Sequence, residues 1–442
     1  MLKHSLGVCL LTMTLARPAM PQQIDIQAVL DRLDKLEAEN GKLQDEIRAL
    51  RTELAAVKPA TSEAPVSERL EVQENRTAEL DQSKVGASQK FPVSLTGMLL
   101  FNAFANGKAS GGAQYPAVAA INSGAETDGG SLRQTIIGLK FNGPDLPWGG
   151  KASGSIYMDF FGGTSAPSNN LVRLRIATLD LKWKNTTVTV GQDKPILSPR
   201  EPVSLAQVGV SPLAAAGNLW DWNPQVRIEQ RFSFGENSGL RAQAGVYETT
   251  ENYAASLPVE YASTLEHSRP GYEGRFEFFR TTNRWSIEVA PGFHFGSTHV
   301  AGSSVQSRIA SLDWMIRPAS KIEFSGEFFQ GQDVAGLGAL PGFFVSDAGI
   351  PSPVHTSGEW GQLALFPASR LSFHIYSGEQ ANRVLDVALN GVTTNFVYAG
   401  NLIYKFAPNV LGALEASQTR TEYLGAGLRL NNHYDLALAY LF

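Results

Sequence analysis

The last ten residues, HYDLALAYLF, alternate between large apolar side chains and small or polar ones. Successive residues of a strand point to opposite faces, so one face would be fully apolar. That face would carry Tyr434, Leu436, Leu438, Tyr440 and Phe442. An apolar face that ends on an aromatic residue is typical of a strand in contact with lipid. The pattern predicts a lipid-facing β-strand at the end of the chain.

The same alternation recurs from Phe91 onward, and it predicts sixteen strands with turns or loops between them. We expect them at 92–106, 131–142, 150–162, 171–183, 186–193, 224–234, 239–249, 271–280, 284–295, 305–316, 321–331, 356–366, 370–379, 394–406, 409–423 and 433–442. Strand two should end in a tight turn at 142–145, and short turns should alternate with longer loops. An even strand number predicts a 16-stranded antiparallel outer-membrane β-barrel over 91–442, with counts of fourteen and eighteen also open. A soluble β-sandwich would be unusually long at this size.

The N-terminal region predicts export. Residues 1–19 combine Lys3, a short apolar run and small residues near Ala19, as in a cleaved signal peptide. The only cysteine, Cys9, lies inside this segment and fits a lipoprotein cleavage site poorly. The mature chain would therefore contain no thiol.

Residues 24–58 show a heptad pattern that ends before Pro59. Apolar residues fill two series spaced by seven, with one polar exception at Asn40, and opposite charges flank them. The proposed core positions are Ile26, Val29, Leu33, Leu36, Asn40, Leu43, Ile47, Leu50 and Leu54. This predicts a parallel α-helical coiled coil in the periplasm, of two or three strands, followed by a linker over 59–90.

Composition narrows the function classes. The formal net charge of −5 argues against a nucleic-acid partner. No His, Cys, Asp or Glu residues stand at metal-ligand spacing, and no serine–histidine pattern indicates a hydrolase. We expect no cofactor, no metal and no enzymatic activity.

A barrel of sixteen strands is too wide for side chains to fill, so a water-filled channel is expected. The connection over about 194–223 is rich in proline and in small residues (214–217), which predicts a loop folded inward as a constriction. Basic residues of this loop and of the neighbouring strands should line the lumen: Arg173, Arg175, Lys194, Arg200, Arg227, Arg231 and Arg241. Such a field favours anions. Glu323 and Glu327 should face the lumen from the far side.

An alternative reading concerns Trp220 and Trp222, which flank Asp221 near the end of the loop. Stacked aromatic residues can form a sliding surface for sugars, although a pair so close together more often packs against a wall. Sugar transport therefore stays open beside anion transport.

The segment RLRIATLDLKWKNTTVTVGQDKPILSPREP, followed by NPQVRIEQRF, resembles the DcaP-like family of trimeric outer-membrane porins. The shared features are the signal peptide, the coiled coil and the sixteen-strand barrel. The resemblance implies a homotrimer and passive uptake of small anionic solutes, dicarboxylates among them, past Arg173, Arg175, Arg227 and Arg231. Tyr440 and Phe442 also resemble the signal by which the barrel-assembly machinery inserts such proteins.

Three hypotheses follow: a porin for small anionic solutes, a sugar porin of the sucrose type, and a tether from the outer membrane to peptidoglycan through the coiled coil. Tether and pore are compatible. The expected surroundings are outer-membrane lipid and the periplasm.

Overall fold

A computed structural model describes residues 93–163, 170–250, 268–346 and 348–442. The predicted signal peptide (1–19), coiled coil (24–58) and linker (59–90) lie outside these residues. Those three assignments therefore stay predictions of the sequence.

The described chain is built from β-strands with short 3-10 turns at Pro147–Gly149, Ala335–Leu337 and Val384–Asp386. The strands are β1 (Val93–Asn106), β2 (Thr127–Ser131), β3 (Ile136–Leu146), β4 (Gly150–Gly162), β5 (Leu171–Lys182), β6 (Thr186–Asp193), β7 (Asn223–Ser233), β8 (Ser238–Thr250), β9 (Ser268–Thr281), β10 (Ser286–Val300), β11 (Ser303–Ala319), β12 (Ile322–Gln332), β13 (Phe343–Val345), β14 (Pro351–Pro353), β15 (His355–Ala368), β16 (Leu371–Asn382), β17 (Val392–Ala407), β18 (Val410–Tyr423) and β19 (Gly427–Leu441). Among the described residues, no helix has the length and apolar character needed to cross a membrane.

The sheet closes on itself through β1. On one side β1 pairs antiparallel with β19, from Met98 opposite Leu441 to Asn106 opposite His433. On the other side it pairs with β2 and, further along, with β3. Since β2 and β3 share one position in the wall, and β13 and β14 form a separate hairpin, the barrel has sixteen strand positions. The predicted 16-stranded antiparallel barrel is confirmed for this part of the chain.

The sequence predicted one strand at 131–142, but the structure has two, β2 and β3, because the hydrogen-bond ladder with β1 is interrupted between them. The hydroxyl of Thr135 accepts a hydrogen bond from the Leu100 amide (3.1 Å), which replaces a ladder bond. Arg133 and Gln134 are buried at this break. The turn predicted at 142–145 is also wrong, because a register shift there lets β3 continue to Leu146.

Side chains alternate between the two faces of the wall as a barrel requires. On β7, Val226, Ile228 and Phe232 are exposed on the outside, while Gln225 is buried on the inside. The final strand behaves alike, and the outward set predicted from Tyr434 to Phe442 is exposed.

The terminal residue takes part in closure. The backbone of Phe442 bonds to Gly97 in both directions (2.9 and 3.2 Å). The aromatic ring lies so close to Gly97 that a Cβ atom there would be 2.7 Å from it. A glycine at this position therefore lets the last residue cover the first strand.

Val93 and Leu441 lie at the same end of the barrel, here named the lower end, where all connections are short. The upper end carries the longer connections, with two exceptions that correct the predicted alternation. Residues 301–302 join β10 and β11, and residues 424–426 join β18 and β19. Ala301 and Gly302 have positive φ angles (51° and 72°), as a two-residue hairpin turn requires.

Candidate functional site

The connection between β6 and β7, residues 194–222, folds into the barrel and is named the constriction loop. The sequence predicted an inward loop at this place, and the structure has one. Its buried residues are Pro195, Ile196, Leu197, Ser198, Pro202, Ala206, Gly209, Ser211, Pro212, Leu213, Ala214, Ala215, Ala216, Gly217, Asn218 and Leu219. An irregular segment can be buried only when its backbone groups find partners, so its contacts with the wall decide its path.

The outbound leg, residues 194–209, begins on the wall formed by β9 and β12. The amide of Ile196 donates a hydrogen bond to Glu273 (2.6 Å). Two residues later, the Ser198 hydroxyl donates to Glu327 (2.7 Å). Carboxylates of two strands therefore hold the start of the loop.

The same leg continues along β15, β17 and β18. The amide of Val203 donates to the side chain of Gln362 (2.7 Å), and Asn401 donates to the Val203 carbonyl (2.8 Å). The hydroxyl of Ser204 donates to Glu415 (2.6 Å). Both backbone groups of one loop residue are thus satisfied by amide side chains of the wall.

The outbound leg ends against β1 and the break that follows β2. Asn102 donates to the Leu205 carbonyl (2.8 Å), and Gln134 donates to the Ala206 carbonyl (2.7 Å). The oxygen of Gln134 accepts from the amides of residues 208–209 (both 2.7 Å). One buried glutamine therefore binds three backbone groups of the loop.

The return leg, residues 210–222, packs its small residues against β15, β16 and β17. Gly217 has a φ of 98°, and a Cβ atom there would lie 2.1 Å from the Glu359 carbonyl oxygen. Asn395 donates to the Ala215 carbonyl (2.9 Å). Small residues at 214–217 are thus required by close contact with the wall backbone.

Glu327 joins the two legs. Besides Ser198 of the outbound leg, its carboxylate accepts hydrogen bonds from Asn218 of the return leg (3.2 Å) and from Trp360 of β15 (3.2 Å). It is fully buried under the loop. Glu327 is on the inner face of the barrel, as expected for a lumen-facing residue, but the loop covers it. Glu323 is also largely buried, and it pairs with Arg317.

Arg173 and Arg175 of β5 converge on one buried carboxylate and on the loop backbone. Asp159 accepts from Arg173 (2.6 Å) and from Arg175 (3.1 Å). Arg173 also donates to the Gly209 carbonyl, and Arg175 donates to the Val208 carbonyl (2.8 Å). These arginines therefore hold the end of the outbound leg.

Aromatic rings stack on the same arginines. The Arg173 guanidinium lies 5.2 Å from the Phe161 ring centre and 5.0 Å from that of Trp222. Arg175 lies 4.6 Å from the Trp222 ring, and Arg133 lies 4.7 Å from the Phe161 ring. Arg133 was not among the predicted site residues, since only the break in the second strand position turns it inward.

Trp220 is held by the connection between β12 and β13. Its amide donates to the Leu337 carbonyl (3.0 Å), and its indole N–H donates to the Gly338 carbonyl (3.1 Å). It meets the edge of Trp222 at 5.4 Å between ring centres. Both tryptophans therefore have packing partners, as the packing interpretation requires.

Arg200 of the loop enters a cluster of charges on β9, β10 and β11. It donates to Asp313 (2.8 Å) and Glu288 (2.5 Å). Arg275 donates to Asp313 (2.7 Å) and pairs with Glu277 (2.7 Å). Burial lowers the pKa of Arg200, but the hydrogen bonds with Asp313 and Glu288 outweigh it and leave the pKa raised. Arg275 was missed, although its parity on the strand matches that of Glu277.

The remaining predicted cations also have partners. Lys194 pairs with Glu201 within the loop (2.8 Å), and Arg227 pairs with Asp193 (2.7 Å).

Arg241 lies 3.4 Å from Glu277 and 3.6 Å from Glu229. Arg231 is exposed and stacks over Phe279 at 4.4 Å. The structure thus distributes the seven predicted cations over one continuous stretch of wall and the loop that faces it.

The two members differ strongly in exposure in some of these ion pairs, whereas in others, such as Arg227 with Asp193 and Lys194 with Glu201, they are similar. In three of them a partly exposed guanidinium stands before a buried carboxylate: Arg173 (26%) with Asp159 (0%), Arg241 (33%) with Glu277 (2%), and Arg200 (17%) with Asp313 (1%). The positive ends of these pairs therefore reach the water of the lumen.

Two further upper connections fold inward. In residues 333–354, Val334, Leu337 and Ala339 share one buried cluster with Leu197 and Leu219 of the constriction loop.

The connection between β1 and β2 lines the wall of β17 and β18. Ala119 donates to Thr421 (2.8 Å) and accepts from Tyr423 (2.8 Å), while Asn395 donates to the Ala117 carbonyl (2.9 Å). The upper half of the lumen is thus narrowed from several sides.

A cavity of about 390 Å³ lies beside the outbound leg. Its polar lining includes Lys194, Arg200, Glu201, Ser204, Glu323 and Gln362. Over the described ranges, no three His, Cys, Asp or Glu side chains come together as metal ligands.

Comparison with solved structures identifies proteins of the same fold. The chain is similar to the outer membrane channel DcaP of Acinetobacter baumannii (14% identity, 79% of this chain and 97% of that one, TM-score 0.64). It is also similar to an anion-selective porin from Comamonas acidovorans (14% identity, 79% and 99%, TM-score 0.54) and to Salmonella typhi OmpF in complex with daunomycin (10% identity, 79% and 97%, TM-score 0.52). No protein-family model and no curated protein sequence matches the chain. The resemblance to DcaP-like porins is therefore confirmed at the level of the fold.

Proposed function

We propose that the protein is an outer-membrane porin, a water-filled channel for passive diffusion of small hydrophilic solutes with a preference for anions. The closed barrel with a constriction loop inside it supports this proposal. So does the likeness in fold to an outer-membrane channel and an anion-selective porin. The exposed apolar residues on the outer face support a position in lipid.

The observation that carries the anion preference is the difference in exposure within the ion pairs. A solute ion in the lumen meets the guanidinium of Arg173 first, because its partner Asp159 is buried behind it. Arg241 stands in the same way before Glu277, while its second partner, Glu229, is about as exposed as Arg241 itself. One unit charge at 4 Å in water contributes about 1 kcal/mol. That energy corresponds to about a fivefold rise in local anion concentration.

The predicted pore-lining residues separate into two groups by their contacts. Arg175 is buried, and the hydrogen bonds of Arg200 are taken by carboxylates, so we assign these two to positioning the loop. Arg173 has both roles, because it donates to the Gly209 carbonyl of the loop and is also partly exposed. The residues proposed to contact a passing solute are Arg173, Lys194, Arg227, Arg231 and Arg241. Arginine can bind a carboxylate through two parallel hydrogen bonds, so small carboxylates are the proposed solutes.

Planar-bilayer recording in a salt gradient tests the proposal. The reversal potential should show anion preference, and Arg173→Gln should reduce the anion-to-cation permeability ratio, by up to about fivefold. Arg308→Gln is the matched control, because Arg308 is exposed on the outer face of β11. Cation preference in the unmodified protein, or an equal shift in both variants, would contradict the proposal.

Sugar transport has less support than anion transport. Trp222 already stacks on two arginines, and Trp220 is bound by the backbone of residues 337–338. If sugars nevertheless slide on these rings, oligosaccharides would block the current and Trp222→Ala would remove the block. We expect no such block.

We also propose that the protein is a homotrimer and that the predicted coiled coil (24–58) contributes to its assembly. Mass measurement of the detergent-solubilised protein, with and without residues 24–58, tests this. Binding of residues 21–90 to peptidoglycan stays a prediction of the sequence, and a pull-down on purified peptidoglycan tests it.

A further inference from the structure

The lumen carries a second group of cations on the lower side of the constriction loop, here named the lower belt. Each of them is exposed, and each lies near the lower end of its own strand or of the strand beside it. The lower belt consists of Lys140 on β3, Lys151 on β4, Lys182 on β5, Arg231 on β7, Arg317 on β11 and Lys405 on β17.

The register of the strands turns these cations inward. Residues an even number of positions apart on one strand share a face. Lys405 is four residues beyond Asn401, which donates to the constriction loop inside the barrel. Lys140 stands opposite Ser94 of β1, and Ser94 shares its face with Asn102, which also binds the loop. The same parity holds for the other four members.

Two pairs of like charges stand directly opposite each other in this region. Lys151 pairs with Lys182 across the ladder of β4 and β5, and Arg231 pairs with Arg241 across that of β7 and β8. Like charges at opposed positions of a sheet are destabilising. Asp180 relieves one member of the first pair, since it lies 3.2 Å from Lys182. An anion held between the opposed cations would relieve the remaining repulsion.

The carboxylates near the lower belt do not balance its charge. Asp180 and Glu323 each form an ion pair with a member of the belt, and Asp145 is opposite a third member in the register. Among the described residues, four members have no ion-pair partner: Lys140, Lys151, Arg231 and Lys405. At the constriction, by contrast, every predicted cation except Arg231 has a carboxylate partner. Over the described strands, unpaired positive charge in the lumen is therefore concentrated at the lower belt.

The type of cation indicates the class of ligand. Four of the six members are lysines. An ammonium group is a compact point charge that binds phosphate, without the planar fork through which arginine favours carboxylates. Cations that come from several strands suit an anion with more than one negative charge. Because short turns of such barrels face the periplasm, the belt would lie at the periplasmic mouth.

We propose that the lower belt binds small multivalent anions that carry phosphate groups. This inference rests on the proposed channel, because it adds a second anion site along the same path. The exposed arginines of the constriction meet the solute first, and the lower belt holds it at the mouth below. The channel therefore accepts phosphate-bearing solutes as well as carboxylates.

Isothermal titration calorimetry with pyrophosphate tests the site in the full chain, purified in a neutral detergent at low salt. Lys140→Gln with Lys151→Gln should weaken binding about tenfold or more, because each lost charge acts on several negative charges of the anion. Arg308→Gln with Arg420→Gln is the matched control, since both arginines are exposed on the outer faces of their strands. Equal weakening in both variants, or no binding by the unmodified protein, would overturn the inference.

A charge-preserving variant separates charge from structure. Lys140→Arg with Lys151→Arg should keep the affinity for pyrophosphate within about twofold, and a loss as large as that of the glutamine variant would overturn the inference. Binding should also vanish at 1 M salt, where the screening length is only about 3 Å.

Reversal potentials in a chloride gradient test the proposed anion preference separately. A channel that prefers anions but does not bind pyrophosphate would overturn the lower belt alone. A channel that binds pyrophosphate at the belt but prefers cations would overturn the proposed selectivity alone.

Discussion

The inner wall of the barrel differs between β4–β11 and the wall formed by β15–β19 with β1. Along β4–β11 the inward side chains form ion pairs, such as Arg173 with Asp159 and Arg275 with Asp313. On the other side the contacts with the constriction loop come mainly from amide side chains, including Asn102, Gln362, Asn395 and Asn401. Gln134, beside β1, belongs to the same set.

The amide side chains hold the constriction loop in position, whereas the ion pairs set the charge selectivity of the lumen. Amides can satisfy the loop backbone without placing a charge in the lumen. Ion pairs whose cation is exposed leave a positive field at the water of the lumen, and several also hold the loop. Glu327 lies between the two regions, because it is a carboxylate that acts only as a loop anchor.

Loss of the Glu327 anchor should have the largest effect on the pore. Glu327→Ala would leave the indole N–H of Trp360 without its acceptor, at about 1–3 kcal/mol. It would also remove one of the acceptors of Ser198 and of Asn218, which keep backbone carbonyl partners within the loop. We expect the constriction loop to loosen and single-channel conductance to rise. Glu323→Ala, on the same strand, is the control. Equal conductance in both variants would show that Glu327 does not hold the loop.

Neutralising a buried carboxylate in the part of the wall that carries the ion pairs should raise the preference of the channel for anions. Asp159→Asn leaves Arg173 and Arg175 without a counter-charge. One additional unit charge near the path should increase the anion-to-cation permeability ratio, by up to about fivefold. Reversal potentials in a salt gradient measure it. A ratio equal to that of the unmodified protein would mean that these arginines lie off the path.

Removing an amide side chain from the wall formed by β15–β19 and β1 should lower the stability of the protein and leave its charge selectivity unchanged. Gln134→Leu removes the partner of three loop backbone groups, at Ala206 and at residues 208–209. We expect a loss of about 1–3 kcal/mol per group left unsatisfied. Urea unfolding followed by tryptophan fluorescence measures it, with the reversal potential unchanged. A selectivity shift as large as that of Asp159→Asn would remove the distinction between the two walls.

The smallest effect concerns Asp221, between the two tryptophans. Burial raises its pKa above the ordinary value, although the Trp222 amide and Arg173 act in the opposite direction. Because its pKa is raised in the folded state, the protonated carboxyl group of Asp221 is the form that the fold favours. Its contribution to folding stability is therefore present in acid and is lost as the pH rises through the folded-state pKa. Asp221→Asn should therefore be slightly more stable than the unmodified protein at neutral pH. The gain should disappear below the ordinary aspartate pKa of about 4. A gain that does not change with pH would exclude this cause.

Most of the barrel could be predicted from the sequence, because period-two alternation is a local property of each strand. The strand β4, for example, was expected at 150–162 and is Gly150–Gly162. The second strand position was less predictable. Its break depends on Thr135 meeting the amide of Leu100, thirty-five residues earlier in the chain.

The candidate site could be predicted only in part. The parity of each strand predicts which arginines turn inward, and the structure gives Arg173, Arg175, Arg227 and Arg241 ion-pair partners on the wall. It could not show that Arg175 and Arg200 are occupied by the loop, or that Glu327 is covered, since these contacts join residues from about 33 to 129 positions apart. Arg133 was missed because the break between β2 and β3 depends on a distant contact, whereas the parity of Arg275 on its strand could have indicated it.

The sequence by itself determined the closed barrel and its faces, because alternation along a strand and pairing between neighbours follow from local geometry. It also determined which segment enters the lumen, through proline and small residues in one long connection. Only the tertiary structure decided the path of that segment, because each buried backbone group had to find a partner on a distant strand. The same constraint decided which charges remain exposed to the water of the lumen and which are used to hold the loop.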